Sequence, residues 1–279
     1  MAKYTTAELM ASVVSKELRD RDVCFIGIGS SGPAFIMAVA VPTVAARLAQ
    51  LQHAPNLHFM FGPVIDPIID GDFAPKSTSE YWYVNLLSAA QVPLEDTLNL
   101  FKLNKMTVGF ASGAQVDKYG NCNITAIGDY EKPKVRLVGT LAQTDIACYS
   151  HRFIITVKHD KKTLVEKVDF ITSAGYLDGG DSRKKAGLPG GGPSIVVSDM
   201  AVMDFHETKK TMRLRSVHPG FTVDDVIKNT GFELEIPDHV GQTPVPTELE
   251  LGYIRNKIDP CGYWLKARLT GEEATLDRF

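Results

Sequence analysis

Two glycine turns and one strand end carry most of the chemical information in this sequence. Ser112-Gly113-Ala114-Gln115 is a run small enough to bring bare backbone N–H groups against a ligand, which an oxyanion or carboxylate requires. A first turn, GIGSSG at 27–32, follows a short apolar strand, with Gly27, Gly29 and Gly32 spaced as in a dinucleotide-binding loop. That motif needs an acid about 20 residues on, at the end of the second strand, to hold a ribose hydroxyl. The second strand here, Leu57 to Phe61, ends in phenylalanine before Gly62-Pro63. Dinucleotide binding is therefore set aside, and a tight turn beside some other ligand is the better reading. A third turn, GTLAQTD at 139–145, carries Gln143 and Asp145, and Arg183-Lys184-Lys185 can meet an anion or simply form a solvated basic face.

These residues need a frame. Thr5 and Glu8 stand at capping-box spacing and open an amphipathic helix over 5–19. A strand at 23–26 follows, and then an apolar run, 34–41, that reads as buried wall. Pro42 starts a helix to Leu51, where its missing N–H costs nothing. Residues 68–79 read as a loop, and 80–91, with Tyr81, Trp82, Leu86 and Leu87, as a helix. Strands are expected at 106–110, 123–127, 153–157, 167–172, 194–199, 201–205 and 212–217. The glycine-rich segment 173–193 is a long loop, of the length that tends to be functional. Thr222 caps a helix at 224–229, Leu249 to Ile254 is periodic again, and 270–279 reads as a frayed tail.

Composition narrows the function class. With 279 residues, 44% of them hydrophobic, the chain has enough apolar content for one large α/β domain, and the expectation is a single domain over 1–279. A net charge of −3 argues against nucleic acid or an anionic membrane as the main partner. The four cysteines are scattered, without CxxC pairs or histidines at ligand spacing, so no metal site is expected and the thiols read as reduced. No signal-peptide core or membrane-length apolar run is present, so the expected location is cytoplasmic. None of the seven histidines stands out as catalytic: His151 and His159 flank a strand, and the rest read as turn or surface residues.

Three stretches together resemble one family. SGAQVDKYGNCN with IGDY over 112–130, KVDFITSAGYLDG over 167–179, and AGLPGGGP with IVVSD over 186–199 are similar to the β subunit of family I coenzyme A transferases, the glutaconate type in particular. DVIKNTGFEL at 225–234 fits the same pattern, so the likeness runs from about residue 5 to about 235, with 236–279 as an extension. The resemblance implies an open three-layer αβα sandwich with a mixed, mostly parallel sheet. It also implies a separately encoded α subunit, in a heterodimer or an α2β2 heterotetramer, and an acyl-CoA site. Coenzyme A then arrives as part of the substrate, and no cofactor is held permanently.

In the transferases of that family a β-subunit glutamate at the end of the second strand attacks the thioester, giving an anhydride and then an enzyme-bound CoA thioester. That position falls here on Phe61, or on Met60 if the gap is drawn differently, and neither can act as the nucleophile. Asp66 and Asp70 lie past the Gly-Pro break, and Asp66 would need a five-residue slip to replace it. The 139–145 turn also departs from the family's glycine-richer pattern through the bulk of Leu141. Some relatives that lack the glutamate are CoA-ester decarboxylases or ring-opening hydrolases, so the resemblance implies carbon–carbon hydrolysis or decarboxylation without a covalent intermediate. A transferase with a relocated nucleophile and a non-catalytic scaffold are the alternatives. No catalytic residue is assigned to this chain. Gly27 and Gly29 are expected at the site mouth and Phe61 and Gly62 in the pocket lining. Ser112, Gly113, Ala114 and Gln115 are expected as donors, Gln143 and Asp145 along the pantetheine arm, and Arg183 at a CoA phosphate or substrate carboxylate.

Overall fold

The computed structural model describes residues 3–27, 32–71 and 85–266. Gly29, the Tyr81-Trp82 pair and the 270–279 tail lie outside them. The chain forms two compact units, Met1–Phe110 with Pro244–Phe279, and Ala111–Thr243.

In the first unit, helix α1 (Thr6–Glu17) begins at the expected capping box: Thr5 Oγ1 accepts from Glu8 N–H, and the Glu8 carboxylate accepts from Thr5 N–H. Its residues from Ala7 to Ser15 are buried. Strand β1 (Val23–Ile26) pairs in parallel with β2 (His58–Phe61), Ile26 opposite Phe61. Between them, helix α2 (Gly32–Phe35) runs on through a π-helical turn, Ile36–Ala40, into α3 (Val41–Gln52). Pro42 therefore does not start the helix as expected. The wide turn, in which Val41 N–H donates to Ile36 O, takes up the break that a proline makes in α-helical bonding.

The chain does not leave the sheet after Phe61. Gly62-Pro63 is a two-residue link, with Gly62 at φ +51°, that folds β3 (Val64–Pro67) back antiparallel on β2, Phe61 opposite Val64. The end of the segment expected as a helix is instead strand β4 (Ser88–Gln91), antiparallel to β3. An edge strand with exposed Ala89, Ala90 and Gln91 has little hydrophobic periodicity to reveal it. Helix α4 (Leu94–Lys102) follows, with only Thr97 and Phe101 buried, and Phe101 meets Phe25 edge-on at 5.1 Å. Strand β5 (Val108–Ala111) then pairs in parallel with β1, giving the order β5-β1-β2-β3-β4.

The second unit contains two small antiparallel ribbons, β6 (Gln115–Val116) with β7 (Cys122–Asn123) and β8 (Ala126–Ile127) with β9 (Val135–Arg136). After helix α5 (Gln143–Tyr149) comes strand β10 (Arg152–Val157), then the short α6 (Ser182–Lys185). Strands β11 (Pro193–Ser198), β12 (Ala201–Phe205) and β13 (Met212–Val217), helix α7 (Val223–Asn229) and strand β14 (Gly241–Gln242) complete it. The order is β14-β13-β12-β11-β10, parallel at both ends and antiparallel between β11, β12 and β13. Residues 167–172 form no strand. Asp169 N–H donates to the Gln115 carboxamide and Thr172 N–H to Cys122 O, so a mix of side-chain and single backbone bonds replaces a ladder.

Two histidines lie inside this unit rather than at its surface. His218 Nε2 faces Ser198 O at 2.8 Å and can only donate there, so its Nδ1 accepts from Thr243 Oγ1 at 2.9 Å. His159 Nδ1 lies 2.8 Å from Ser198 Oγ and its Nε2 3.0 Å from Thr230 Oγ1. Burial lowers both to about 4.

The chain then returns to the first unit. Helix α8 (Glu248–Tyr253) carries a second capping box, Thr247 with Glu250, and continues into a π-helical turn, Ile254–Ile258. Each capping glutamate has a second task. Buried Glu250 accepts from Ser12 Oγ and pairs with Lys16 Nζ at 3.1 Å, while Glu8 takes both Nε and Nη2 of Arg255 at 2.6 and 2.8 Å. The early and late segments of this unit are thus tied to one another through α1 and α8.

Candidate functional site

At the carboxyl ends of parallel strands, an α/β sheet usually presents its ligand-binding crevice. Two of those ends are Ile26 of β1 and Phe61 of β2, and neither exposes a side chain. Phe61 has 0% exposure. Its ring meets Phe59 edge-on at 5.8 Å and lies nearly parallel to Trp264 at 6.0 Å, while the other neighbour of Trp264 is Phe35 at 6.1 Å. Phe61, expected in the lining of an apolar pocket, has its ring in the core of this unit, under an indole contributed by the C-terminal segment. Gly62 is likewise buried, as the hairpin corner. Gly27 is half-buried at the end of β1 with nothing within 4 Å of where a Cβ would stand, so the turn there is not forced by crowding.

The hairpin also settles where the two nearby acids stand. Asp66 comes opposite Phe59, toward the amino end of β2, because β3 runs backwards. Its carboxylate accepts from Phe59 N–H at 3.0 Å and lies 2.6 Å from His58 Nδ1. Asp70 is held by Arg47 in a two-pronged pair at 2.8 and 2.7 Å. Neither carboxylate stands at the carboxyl end of β2, and the slip that would carry Asp66 there does not occur.

In the second unit, the Ser112 turn and the start of α5 are brought together. Gln143 Nε2 donates to Ser112 O at 2.8 Å and to Ser173 Oγ at 3.0 Å, and Gln143 Oε1 accepts from Ser112 N–H at 3.3 Å. The carboxamide thereby pairs with Ser112 as a neighbouring strand would. Ser112 Oγ donates to Thr156 O at 2.7 Å and Ala114 N–H to Asn123 O at 3.0 Å. Gln115 is also engaged: Oε1 accepts from Asn123 Nδ2 and Asp169 N–H, and Nε2 donates to Asp169. Among the described residues, Gly113 N–H takes no partner. Only glycine fits there, since a Cβ would lie 2.7 Å from Gln115 O.

Asp145 lies half-buried in the first turn of α5. Next along that helix, Cys148 has a thiol raised by burial, with Asp145 adding to the rise. The loop leading into α5 exposes Val138 and Leu141, the latter at φ +45°, a conformation that costs a leucine energy. Thr144 Oγ1 donates to Thr172 O at 2.8 Å, and Ser173 and Thr172 are polar members of this cluster that sequence spacing did not single out.

Arg183 is the clearest departure from expectation. It is buried, and its five N–H groups go to five carbonyls: Nε to Gly190, Nη1 to Ala174 and Gly175, Nη2 to Ala147 and Cys148. Burial lowers its pKa, and the carbonyls replace the water it has lost. It clamps the 173–193 loop to the end of α5 and has no donor left for an anion. A cleft of about 330 Å³ lined by Thr5, Glu8, Arg255, Asp259 and Lys266 lies in the first unit, and no residue expected at the site borders it. Among the described residues no cluster of metal-ligating side chains occurs, and no helix is long and apolar enough to cross a membrane.

Comparison with known proteins agrees with this architecture. The family described as coenzyme A transferase matches residues 7–229. The β-type subunit of the 3-oxoadipate CoA-transferase of Pseudomonas knackmussii is 35% identical over 263 residues, which are 91% of this chain and 94% of that one. The corresponding subunit of the glutaconate CoA-transferase of Acidaminococcus fermentans is 34% identical over 266 residues, 92% of this chain and 93% of its own. The crystal structure of that enzyme superposes with a TM-score of 0.79 and 29% identity, covering 94% of this chain and 97% of that one. The cholesterol ring-cleaving hydrolase IpdB subunit of Mycobacterium bovis is 30% identical over 259 residues, 92% of this chain and 95% of its own. Sequence, fold and relatives converge along nearly the whole length, and the chain belongs to the coenzyme A transferase family.

Proposed function

We propose that this chain is the β-type half of a two-subunit enzyme acting on an acyl-CoA thioester, and that its reaction is carbon–carbon hydrolysis or decarboxylation with no covalent intermediate on this chain. The single observation that carries the reading is the buried Phe61 at the end of β2, with Asp66 and Asp70 both committed elsewhere. Relatives named as one of two subunits support the two-chain form, and the ring-cleaving hydrolase among them supports the reaction class.

Ring opening of a β-diketone begins with water attack on a ketone and ends in carbon–carbon cleavage to a stabilised enolate. It needs a general base and donors for the developing oxyanion, and no acyl-accepting carboxylate. In this reading Gly113 N–H is the donor from this chain, held in place by the Ser112–Gln143 pairing. Asp145, at the first turn of α5, accompanies the pantetheine arm, and the base comes from the α subunit. Decarboxylation uses the same stabilisation of an enolate but involves no water attack: the carboxylate leaves as carbon dioxide, its bonding pair forms the enolate, and a proton then adds to carbon.

A transferase reading is favoured by one finding, namely that two of the relatives above, at 35% and 34% identity, are named transferases. The test separates the two. The chain is purified with its α subunit and incubated with acyl-CoA esters that carry a β-diketone, or a carboxylate on the α-carbon or its vinylogous position, then treated with hydroxylamine or borohydride. The expected result is product formation with no adduct on any acid of this chain, and no turnover by this chain alone. An acid of this chain trapped as a hydroxamate or alcohol overturns the proposal in favour of transfer. Full activity of the isolated α subunit leaves this chain only a supporting part.

A further inference from the structure

Trp264 occupies an unusual place for a residue so near the end of the described chain. It is fully buried, and it reaches the sheet through a turn built on Asp259. One carboxylate oxygen of Asp259 accepts from Trp264 N–H at 3.1 Å and the other from Leu265 N–H at 2.9 Å. Asp259 N–H in turn donates to Ile254 O, which seats the turn on the π-helical segment behind it. The indole then lies between Phe35 and Phe61, nearly parallel to both, at 10° and 18°. Its Nε1–H finds no acceptor among the described residues. A buried donor without a partner costs about 1–3 kcal/mol, so the position is held by ring packing against that cost.

Phe61 is the last residue of β2, and Phe35 lies at the junction of α2 with the π turn. Phe59 and Phe61 share one face of β2, and the rings of Trp264 and Phe35 cover that face at the carboxyl end of the strand, the end at which an α/β sheet normally receives its ligand. We propose that Trp264 is a specificity-determining residue: stacked on Phe61, it seals the carboxyl end of β2 so that a CoA-borne acyl group cannot reach that strand end. This inference rests on the reading of the chain as half of an acyl-CoA enzyme. It goes further in placing the exclusion in the C-terminal segment rather than in the Phe61 side chain alone. Replacing Phe61 by a reactive residue is then insufficient to open this strand end to substrate.

Alkylation of a thiol placed at position 61 tests this in the chain assembled with its α subunit. Two probes are used, iodoacetamide and bromoacetyl-CoA. In the second, the thiolate displaces bromide, forming a carbon–sulfur bond to the acyl carbon chain, and the thiol proton goes to solvent. Peptide mass mapping separates position 61 from Cys148 and Cys261. In Phe61→Cys alone, both probes are expected to label position 61 slowly. In Phe61→Cys with Trp264→Ala, both rates are expected to rise by about tenfold or more as the strand end opens. Fast labelling by bromoacetyl-CoA in the single variant overturns the proposal, as does a double variant that admits iodoacetamide while bromoacetyl-CoA still fails. If the double variant does not fold, Phe61→Cys with Trp264→Phe takes its place with slow labelling expected, and the single-variant rate still decides. Wild-type turnover of CoA esters is measured separately, so a failure of the functional reading shows there and not in the labelling.

Discussion

At the scale of single residues, burial decides more than chemical type. Phe61→Glu restores the residue type that the family's transferases use, yet it places a carboxylate among Phe59 and Trp264, with Phe35 beyond. The expected outcome is a loss of roughly 3 kcal/mol or more in stability, read as a lower denaturation midpoint, with no hydroxylamine-sensitive adduct formed. Arg183 gives a second prediction. Arg183→Met leaves five carbonyls of the loop and the α5 end without their donor. Arg183→Lys does little better, because an ammonium has three N–H groups where five are used. Both variants are expected to lose on the order of 2–4 kcal/mol and to be cut faster within 173–193 by limited proteolysis. Neither residue's role could be read from its letter. A basic run beside glycines suggests an anion, and only the positions of the carbonyls show that the loop itself uses up the cation.

At the scale of elements, local signals were legible wherever a cap or an alternation belonged to one segment. The capping box at Thr5, the helix cap at Thr222, and the strands at 201–205 and 212–217 stand where spacing put them. Thr247→Ala, which removes the cap of α8 and disturbs Glu250, is expected to cost about 1 kcal/mol or somewhat more, measured by denaturant unfolding. The misses share a cause in long-range context. Ser88–Gln91 is a strand because β3 offers it an edge, and α4 has too narrow an apolar stripe to announce itself. Residues 167–172 alternate as a strand does, but their bonds go to Gln115 and Cys122 instead of to a neighbour strand. The candidate site divides the same way. The small-residue turn at Ser112 was visible as a motif, whereas its pairing with Gln143, across some 30 positions of chain, was not. Nothing near Phe61 in sequence foretold Trp264, which reaches it from the far end of the polypeptide.

At the scale of the molecule, two buried histidines couple stability to acidity. His159 and His218 have folded-state values lowered to about 4 from 6.5, so the unfolded chain binds their protons first. Their contribution is fully present above about pH 6.5 and is lost as pH falls from there through about 4. Unfolding at pH 5 is therefore expected to take up roughly two protons more than at pH 8, seen as a falling denaturation midpoint. His159→Gln with His218→Gln should flatten that slope; an unchanged slope would assign it to carboxylates instead. The division of the chain into Met1–Phe110 with Pro244–Phe279, and Ala111–Thr243 between them in sequence, has a consequence during synthesis. The middle unit leaves the ribosome whole, while the first must wait for Glu250 to reach Lys16 and for Trp264 to cover Phe61. From the synthesis of Phe61 until Trp264 emerges some two hundred residues later, the aromatic end of β2 lacks the indole that covers it in the folded unit.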